Sequence, residues 1–344
     1  MVTQKRVTIQ DVAKEAGVSK QTVSRVINDH QDVADNTRDR VKKIISELKF
    51  QPDPIARSMK GNTNTLGCIT PNLSDYNFSN IVQSAHAEAR QRGFLFFTGS
   101  AQYEDDIQPL LSEIMNRRVD GLLILNPRDD DRYIHLLPLI EQGFPIVYIK
   151  NSPEDEQVSA VCLDDEKGGR LAVNHLLELG HTNIATILGP ANEECTSDRL
   201  KGYQEALELA GIDLDPELIV QGNWSAQSGS EAVQKLFEQK KNFSAVFAQN
   251  DRMAVGAIKR LRQEGLRIPR DISVIGYDDI PLTSFFDPPL TTVRQPMDQF
   301  GQIGTEMLVL AIKNPKLSPQ IIRLEPELII RETCVKYEKE KEVR

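Results

Sequence analysis

Short apolar runs of strand length alternate with amphipathic segments of helix length from about residue 64 onward. This alternation is typical of strand–helix–strand units, and it predicts an α/β body in which helices cover parallel sheets. A second series of the same kind begins near Asp164. The predicted strands are 66–69, 94–97, 121–125, 146–149, 184–188, 245–248 and 273–276, and the predicted helices are 81–92, 107–117, 133–142, 168–179, 199–210, 228–238 and 253–264.

The first 50 residues differ from the body because their pattern predicts only helices. Gly17 ends the first helix, since glycine adopts a left-handed C-terminal position easily. Ser19 is a favourable N-cap for a second helix over residues 20–27, and a third helix is predicted over residues 35–48. Two short helices joined by a tight glycine turn and backed by a third predict a helix-turn-helix.

The predicted second helix has an apolar face and a polar face. Lys20, Gln21 and Arg25 point outward, and lysine and glutamine carry the donors that read guanine and adenine edges in a major groove. The alternative is that any compact three-helix unit shows this spacing and that these polar residues form a solvated face. The residues predicted to face inward are Val18, Val23, Val26 and Ile27.

The formal net charge of -9 is divided unevenly along the chain. Residues 1–60 hold 12 Lys and Arg against 8 Asp and Glu, a net charge of +4, whereas the remainder carries -13. A small basic segment on a large acidic body suggests that the basic segment meets a polyanion. So few charges over 60 residues also arise by chance, so this observation is weak by itself.

The remaining composition argues against several other classes of protein. The longest apolar runs span a few residues, far fewer than the ~20 of a membrane helix, and the charged N-terminus has no apolar signal segment. We therefore expect a cytoplasmic protein without a membrane partner. The four cysteines lack a CxxC pair and the five histidines form no cluster, so neither a metal nor a cofactor is predicted. No GxSxG, Walker or HExxH motif indicates an enzyme.

Residues 7–29, VTIQDVAKEAGVSKQTVSRVIND, closely resemble the N-terminal signature of the lactose-repressor/galactose-repressor (LacI/GalR) family of transcriptional regulators. The resemblance continues through residues 37–38 and 54–59 and covers nearly the whole chain. The other segments that show the resemblance are RVDGLLIL (118–125), ELGHTNIATILGP (178–190), ISVIGYDDIP (272–281) and PPLTTVRQP (288–296).

The resemblance implies three regions. These are a helix-turn-helix domain over residues 1–50, a hinge helix and linker over residues 51–62, and a periplasmic-binding-protein-like body over residues 63–340. In the body it implies two sub-domains with parallel sheets and a cleft between them. Their implied ranges are about 63–162 with 293–322, and about 163–292 with 323–340.

The resemblance also implies how the chain contacts operator DNA. Lys20 and Gln21 would read bases, and Arg25 would contact a base or a phosphate. The hinge helix would place Met59, where the family has leucine, into the minor groove; a buried contact against the body is the alternative. The predicted DNA-binding residues are Thr8, Ser19, Lys20, Gln21, Thr22, Arg25, Asn28, Ala56, Met59 and Lys60.

Ligands of doubly wound sheets bind at the carboxyl ends of the strands, where several residues match effector positions of the family. Arg199 and Asp278 match positions that hold effector hydroxyls or polar ring atoms, with a purely structural pair as the alternative. Phe78 and Phe247 match apolar platforms but could be ordinary core, and Asp251 could cap the adjacent helix. The predicted effector-binding residues are Phe78, Asn126, Lys150, Glu193, Cys195, Arg199, Phe247, Asn250, Asp251 and Asp278.

Lys150 departs from the family, in which many members carry aspartate. A carboxylate suits a sugar with free hydroxyls, whereas an ammonium suits an anion, so we hypothesise an acidic or phosphorylated effector such as a sugar acid or sugar phosphate. The alternative is a salt bridge from Lys150 to Asp164 or Asp165 without a ligand role. Glu193 and Cys195 also differ from the relatives, which leaves that side of the pocket unassigned.

The predicted function is a sequence-specific transcriptional regulator, by default a repressor, whose operator affinity is controlled by a sugar or sugar derivative in the cleft. A homodimer would present two helix-turn-helix units to a pseudo-palindromic operator. The short charged tail after Arg331 lacks heptads, which argues against a tetramerising coiled coil. A transport receptor would share the body's fold, but it would need an export signal and would leave the N-terminal helices without a role.

Overall fold

A computed structural model of the chain describes residues 9–27, 33–48, 63–101, 104–127, 132–154 and 157–338. The chain divides between Thr63 and Asn64 into two units, which we call the head and the body. None of the described helices combines the length and the apolar character that a membrane crossing requires. Within the same ranges, no group of three or more His, Cys, Asp or Glu side chains is placed to hold a metal ion.

The head contains three described helices, α1 (Ile9–Glu15), α2 (Lys20–Ile27) and α3 (Asp35–Glu47). Gly17 lies in the turn between α1 and α2 with φ +63°, the left-handed conformation that favours glycine. The Ser19 hydroxyl accepts a hydrogen bond from the Thr22 amide at 3.0 Å and thereby caps α2. The predicted glycine turn and serine cap are confirmed.

The predicted division of α2 into two faces is also confirmed. Its apolar residues join an apolar core shared by the three helices, with Val23 and Val26 fully inside. Lys20, Gln21 and Arg25 are exposed on the opposite face. Five predicted DNA-binding residues lie outside the described residues, and these are Thr8, Asn28, Ala56, Met59 and Lys60.

The body alternates strands and helices as predicted. Its described strands are β1 (Thr65–Thr70), β2 (Leu95–Ser100), β3 (Gly121–Leu125), β4 (Ile146–Lys150), β5 (Ser159–Leu163), β6 (Ile184–Leu188), β7 (Ile219–Gln221), β8 (Ala245–Ala248), β9 (Ser273–Asp278), β10 (Thr291–Arg294), β11 (Ile321–Leu324) and β12 (Glu327–Ile329). Its described α-helices are α4 (Tyr76–Gln91), α5 (Glu104–Asn116), α6 (Leu137–Glu141), α7 (Asp165–Glu178), α8 (Glu194–Leu209), α9 (Ala226–Glu238), α10 (Asp251–Gln263) and α11 (Met297–Lys313). Short 3₁₀ turns at Arg132–Leu136, Pro216–Leu218 and Pro281–Phe285 complete it.

The strands form two six-stranded sheets, which define two sub-domains. The sheet of the N-sub-domain has the order β11-β5-β4-β3-β1-β2 and is parallel throughout. The sheet of the C-sub-domain has the order β12-β10-β9-β8-β6-β7 and is parallel except for β12. The chain passes between the sub-domains after β5, after β10 and after β11, so neither is formed by one continuous segment.

Two of these passages lie two residues later than the sequence suggested. The C-sub-domain was expected to end at residue 292, but β10 pairs with β9 and β12 as far as Arg294. The N-sub-domain was expected to end at residue 322, but β11 pairs with β5 as far as Leu324. The boundaries implied by the family resemblance fall inside β10 and β11, and backbone pairing continues for two more residues in each strand.

Several elements of the body were not predicted. β7 and β12 are only three residues long, and β11 is half exposed, so none has the apolar run that marks an interior strand. The helix predicted over residues 133–142 is instead a 3₁₀ turn followed by the short helix α6. The 17-residue helix α11 lies beyond the last predicted strand, 273–276, and was not predicted.

Glycine allows two pairs of helices in the body to approach closely. A Cβ atom at Gly256 of α10 would meet the carbonyl oxygen of Ala226 in α9. A Cβ atom at Gly301 of α11 would meet the carbonyl oxygen of Ile81 in α4. At Gly256 every near atom is backbone, and at Gly301 the Ser84 hydroxyl lies beside the backbone atoms of Ile81 and Ala85; backbone cannot move aside as a flexible side chain can. The two helix pairs α9 with α10 and α4 with α11 therefore pack backbone against backbone at these glycines.

Candidate functional site

A cavity of about 240 Å³ lies where the carboxyl ends of both sheets meet. Asn126 follows β3 and Lys150 ends β4, while Asp278 ends β9 and Gln295 follows β10. Ligands of α/β sheets bind at this edge, so the cavity is the candidate ligand site. It is lined by Pro71, Asp75, Asn77, Phe78, Asn126, Lys150, Asn192, Glu193, Cys195, Arg199, Trp224, Asn250, Asp278 and Gln295.

The structure brings most of the predicted effector-binding residues together at this cavity. They come from six separate segments of the chain, most of them at or just after the carboxyl end of a strand. Their contact with a ligand stays a prediction. The predicted residues that line the cavity are Phe78, Asn126, Lys150, Glu193, Cys195, Arg199, Asn250 and Asp278.

The structure corrects the placement of Phe247 and Asp251, which do not line the cavity. Phe247 lies within β8, one residue before its end, and its side chain is fully buried in the core. Asp251 begins α10, and its carboxylate accepts hydrogen bonds from the Thr292 hydroxyl at 2.5 Å and the Ile280 amide at 2.9 Å. The Asp251 carboxylate therefore links the start of α10 to β10 and to the loop after β9.

Six lining residues were not predicted, and three had a signal in the sequence. Asp75 caps α4 by accepting hydrogen bonds from the amides of Asn77 and Phe78, and it follows the end of β1 as a ligand residue would. Trp224 is the single tryptophan of the chain. Gln295 directly follows β10, a strand that the apolar pattern did not predict. The others are Pro71, Asn77 and Asn192.

Arg199 is held rigidly at the cavity by three partners. Its Nε atom donates to Asp165 Oδ1 at 2.7 Å, and its Nη1 atom donates to the carbonyl oxygen of Gln249 at 2.6 Å. The guanidinium lies 3.7 Å from the ring centre of Tyr277, whose hydroxyl also donates to Asp165 at 3.0 Å. Arg199 thus has the structural pairing that the sequence left open and still lines the cavity.

Gln295 connects a cation and a carboxylate from different sub-domains. Its Nε2 atom donates to Asp278 Oδ1 at 2.5 Å, and its Oε1 atom accepts from Lys150 Nζ at 3.2 Å. The predicted alternative of a salt bridge from Lys150 to Asp164 or Asp165 is wrong. The Asp164 carboxylate caps α7 and the Asp165 carboxylate pairs with Arg199.

The ionisation of Asp278 is shifted toward neutral pH. Burial raises its pKa from the ordinary value of 3.8 to about 6, against the lowering effect of Arg199 and Lys150. Burial, with Asp278 nearby, also raises the pKa of Asp251. Carboxylates with strongly perturbed pKa values are common at functional sites, so the shift of Asp278 supports the cavity as the candidate ligand site.

The next residue, Asp279, has the opposite shift and fixes the loop. Its carboxylate accepts hydrogen bonds from Arg331 at 2.6 Å and Arg294 at 2.8 Å. Burial alone would raise the pKa of Asp279, but the two guanidiniums outweigh it and lower the pKa. Asp278 and Asp279 have φ values of +121° and +59°, a strained backbone that the arginine contacts hold in place.

The cavity lining is rich in hydrogen-bonding groups and carries more negative than positive charge. Asp75, Glu193 and Asp278 contribute three carboxylates, whereas Lys150 and Arg199 contribute two cations. The Arg199 charge is already balanced by the buried Asp165. Several amides and the aromatic rings of Phe78 and Trp224 complete the wall. This set can bind a ligand that both donates and accepts hydrogen bonds and has an apolar face.

Comparison with known proteins gives the family. Residues 8–53 match the family of bacterial regulatory proteins called lacI, and residues 173–334 match a periplasmic binding protein-like domain. The HTH-type transcriptional repressor PurR of Aliivibrio fischeri strain MJ11 is 36% identical over 334 residues, which cover 95% of this chain and 98% of that repressor. The chain belongs to the lacI family. It is a DNA-binding transcriptional repressor of that family.

Two solved structures show the same architecture. A Lac repressor dimer bound to operator and the anti-inducer ONPF is 31% identical, with a TM-score of 0.82 over 96% of this chain and 100% of its own. The complex of the transcriptional regulator CelR with cellobiose is 35% identical, with a TM-score of 0.74 over 95% of this chain and 100% of its own. The predicted fold, a helix-turn-helix followed by a periplasmic-binding-protein-like body, is confirmed.

Proposed function

We propose that this lacI-family repressor binds a neutral, hydroxyl-rich ligand of the saccharide class in the cavity of the body, and that the ligand controls its affinity for operator DNA. The observation that carries the proposal is the cavity lining. Carboxylates and amides converge there from the strand ends of both sheets, beside the rings of Phe78 and Trp224. A saccharide hydroxyl can donate a hydrogen bond to a carboxylate and accept one from an amide N–H. The apolar face of the sugar ring can pack against the aromatic rings.

The charge of the lining supports a neutral ligand over an anion. An anion would approach three carboxylates, and the Arg199 cation is already paired with Asp165. The similar regulator CelR was solved with cellobiose, which also supports a saccharide. The acidic or phosphorylated effector is the second candidate. It rests on Lys150, whose ammonium lies 6.0 Å from the centre of the Phe78 ring at the cavity wall.

We propose that α2 is the recognition helix of the head. Lys20, Gln21 and Arg25 share its exposed face, while the opposite face packs into the core of the head. Lysine and glutamine would then read base edges in the major groove, and Ser19 and Thr22 would contact phosphates. The predicted contacts of Thr8, Asn28, Ala56, Met59 and Lys60 remain predictions from the family resemblance.

We also propose a homodimer on a pseudo-palindromic operator, as in the similar Lac repressor dimer. Exposed apolar side chains on the C-sub-domain support a partner surface. Leu282 and Phe285, on the 3₁₀ turn Pro281–Phe285, are 59% and 82% exposed. Large apolar side chains that are grouped at a protein surface often mark a site of interaction with another protein.

The test is operator affinity measured by fluorescence anisotropy of the full chain. The duplex is the upstream region of its own gene, compared with a scrambled duplex at fixed salt. Cellobiose, ribose and other neutral sugars are titrated beside matched sugar acids and sugar phosphates. We expect selective DNA binding that changes with a neutral sugar. A response confined to acids or phosphates would support the Lys150 hypothesis instead.

Two variants separate the two halves of the proposal. Lys20→Ala removes a base contact from the head, so we expect a loss of about 1–3 kcal/mol in selectivity with an unchanged ligand response. Asp278→Asn removes a carboxylate from the cavity, so we expect normal DNA affinity without a ligand response. An undiminished ligand response in Asp278→Asn would show that the ligand binds elsewhere.

A further inference from the structure

A direct contact joins the two sub-domains beside the cavity. Asn151 and Ser152 follow β4 of the N-sub-domain, and Glu194 is the first residue of α8 in the C-sub-domain. The Asn151 Nδ2 atom donates to Glu194 Oε2 at 2.9 Å, and the Ser152 amide donates to the same oxygen at 3.3 Å. One carboxylate oxygen therefore accepts two hydrogen bonds from the opposite side of the cleft.

The donor side of this contact is fixed by the neighbouring strand. The Cys162 thiol on β5 donates to the carbonyl oxygen of Asn151 at 3.3 Å and accepts from the Ser152 hydroxyl at 3.3 Å. Asn151 is only 3% exposed. The two donors thus belong to the rigid edge of the N-sub-domain sheet and do not follow Glu194 if the C-sub-domain moves away.

The contact lies directly behind both walls of the cavity. Lys150 directly precedes Asn151, and Glu193 directly precedes Glu194. Both preceding residues line the cavity. A carboxylate in the first turn of α8 is also favoured by the helix dipole, so Glu194 is a stable acceptor there. Any opening that separates Glu194 from Asn151 must therefore move the cavity walls apart.

We propose that Glu194, Asn151 and Ser152 form a latch that holds the cleft closed, and that Glu194 is a positioning residue for the ligand response. The link to the response rests on the proposed function. Charge-assisted hydrogen bonds of this kind shift a two-state balance on the order of tenfold. A protein whose binding-competent state is less populated binds its ligand more weakly by that fraction.

The single tryptophan, Trp224, provides an assay that needs neither ligand nor DNA. It lines the cavity, so its quenching by acrylamide in the full chain reports how open the cleft is. Asn151→Asp places a carboxylate of nearly the same size against Glu194, and their repulsion is expected to favour the open cleft on the order of tenfold and raise the quenching constant. Glu194→Gln weakens the latch and is expected to raise the quenching constant less.

The double variant Asn151→Asp with Glu194→Gln exchanges donor and acceptor. The introduced amide donates to the introduced carboxylate, and its carbonyl oxygen still accepts from Ser152. We expect this variant to return the quenching constant to the wild-type value. Glu208→Gln, on the exposed side of the same helix, is the matched control for the lost charge and is expected to change nothing.

Urea unfolding of each variant checks that the comparison is made between folded proteins. The proposal is overturned if quenching stays at the wild-type value in both folded single variants, or if the double variant quenches like Asn151→Asp. If Asn151→Asp does not fold, Glu194→Ala replaces it with the same expected rise. If the variants show the expected changes in quenching but no sugar alters DNA binding, only the proposed function is refuted.

Discussion

Replacing Asp278 by asparagine should stabilise the folded protein at neutral pH. Asp278 has a pKa of about 6 in the folded chain against an ordinary 3.8, so folding favours its protonated form. The stability that the raised pKa contributes is fully present below pH 3.8. It is lost as the pH rises through about 6, the pKa of Asp278 in the folded chain. At 1.36 kcal/mol per pKa unit, ionisation of Asp278 lowers the free energy of unfolding by about 3 kcal/mol near pH 7.5. Roughly half of this loss has occurred at pH 5, and the rest occurs between pH 5 and pH 7.5.

Urea unfolding of the wild-type chain and Asp278→Asn at about pH 5 and pH 7.5 measures this effect. Asparagine keeps an oxygen for the hydrogen bond from Gln295, so the change removes mainly the charge. We expect the variant to be more stable by about 3 kcal/mol at the higher pH and by about half of that at the lower pH. The unfolding slopes should agree, because the surface exposed on unfolding is unchanged.

Asp279→Asn is the matched control, because the adjacent carboxylate should behave in the opposite way. Its pKa is lowered by Arg331 and Arg294 in spite of burial, so its ionised form stabilises the fold at neutral pH. We expect the control variant to be less stable at pH 7.5. The reasoning is refuted if Asp278→Asn is no more stable than the wild-type chain, or if its gain does not depend on pH.

Three further changes have expected outcomes. Ser19→Ala should lower the stability of the head by about 1 kcal/mol through the lost cap of α2, measured by proteolysis of the head in the full chain. Gly256→Ala should lower the free energy of unfolding of the body by about 1–3 kcal/mol, measured by the urea midpoint, because its Cβ meets the Ala226 carbonyl. Arg199→Ala should cost about 3–5 kcal/mol in the same assay, since Asp165 would stay buried without its partner, and a loss below 1 kcal/mol would contradict the buried pair.

The sequence predicted the parts of the fold that depend on local patterns. The glycine turn and the serine cap of the head follow from conformational preferences at single positions, so Gly17 and Ser19 could be recognised directly. The interior strands β3, β6 and β8 were placed at their observed bounds, because continuous apolar runs in a parallel sheet are buried on both faces. Edge strands such as β7 and β12 lack that run and were missed.

The candidate site was predictable wherever a residue follows a recognised strand. Asn126, Lys150 and Asp278 lie at such ends and do line the cavity. Gln295 was missed because β10 was not recognised. The anionic effector was hypothesised from Lys150, although Glu193 and Asp278 were also predicted at the site. The structure adds the carboxylate of Asp75 to the cavity lining, which the sequence pattern did not predict.

The threefold passage of the chain between the sheets has a consequence for synthesis. The N-sub-domain begins with β1, but its last helix and strand, α11 and β11, lie after residue 296. On the ribosome the head can close its own core once residue 48 has emerged, whereas the N-sub-domain waits for nearly the whole chain. During that interval α4 lacks the helix that covers it. A premature stop near residue 300 would therefore release a finished DNA-binding head on an unfinished body, with apolar surface open to chaperones and proteases.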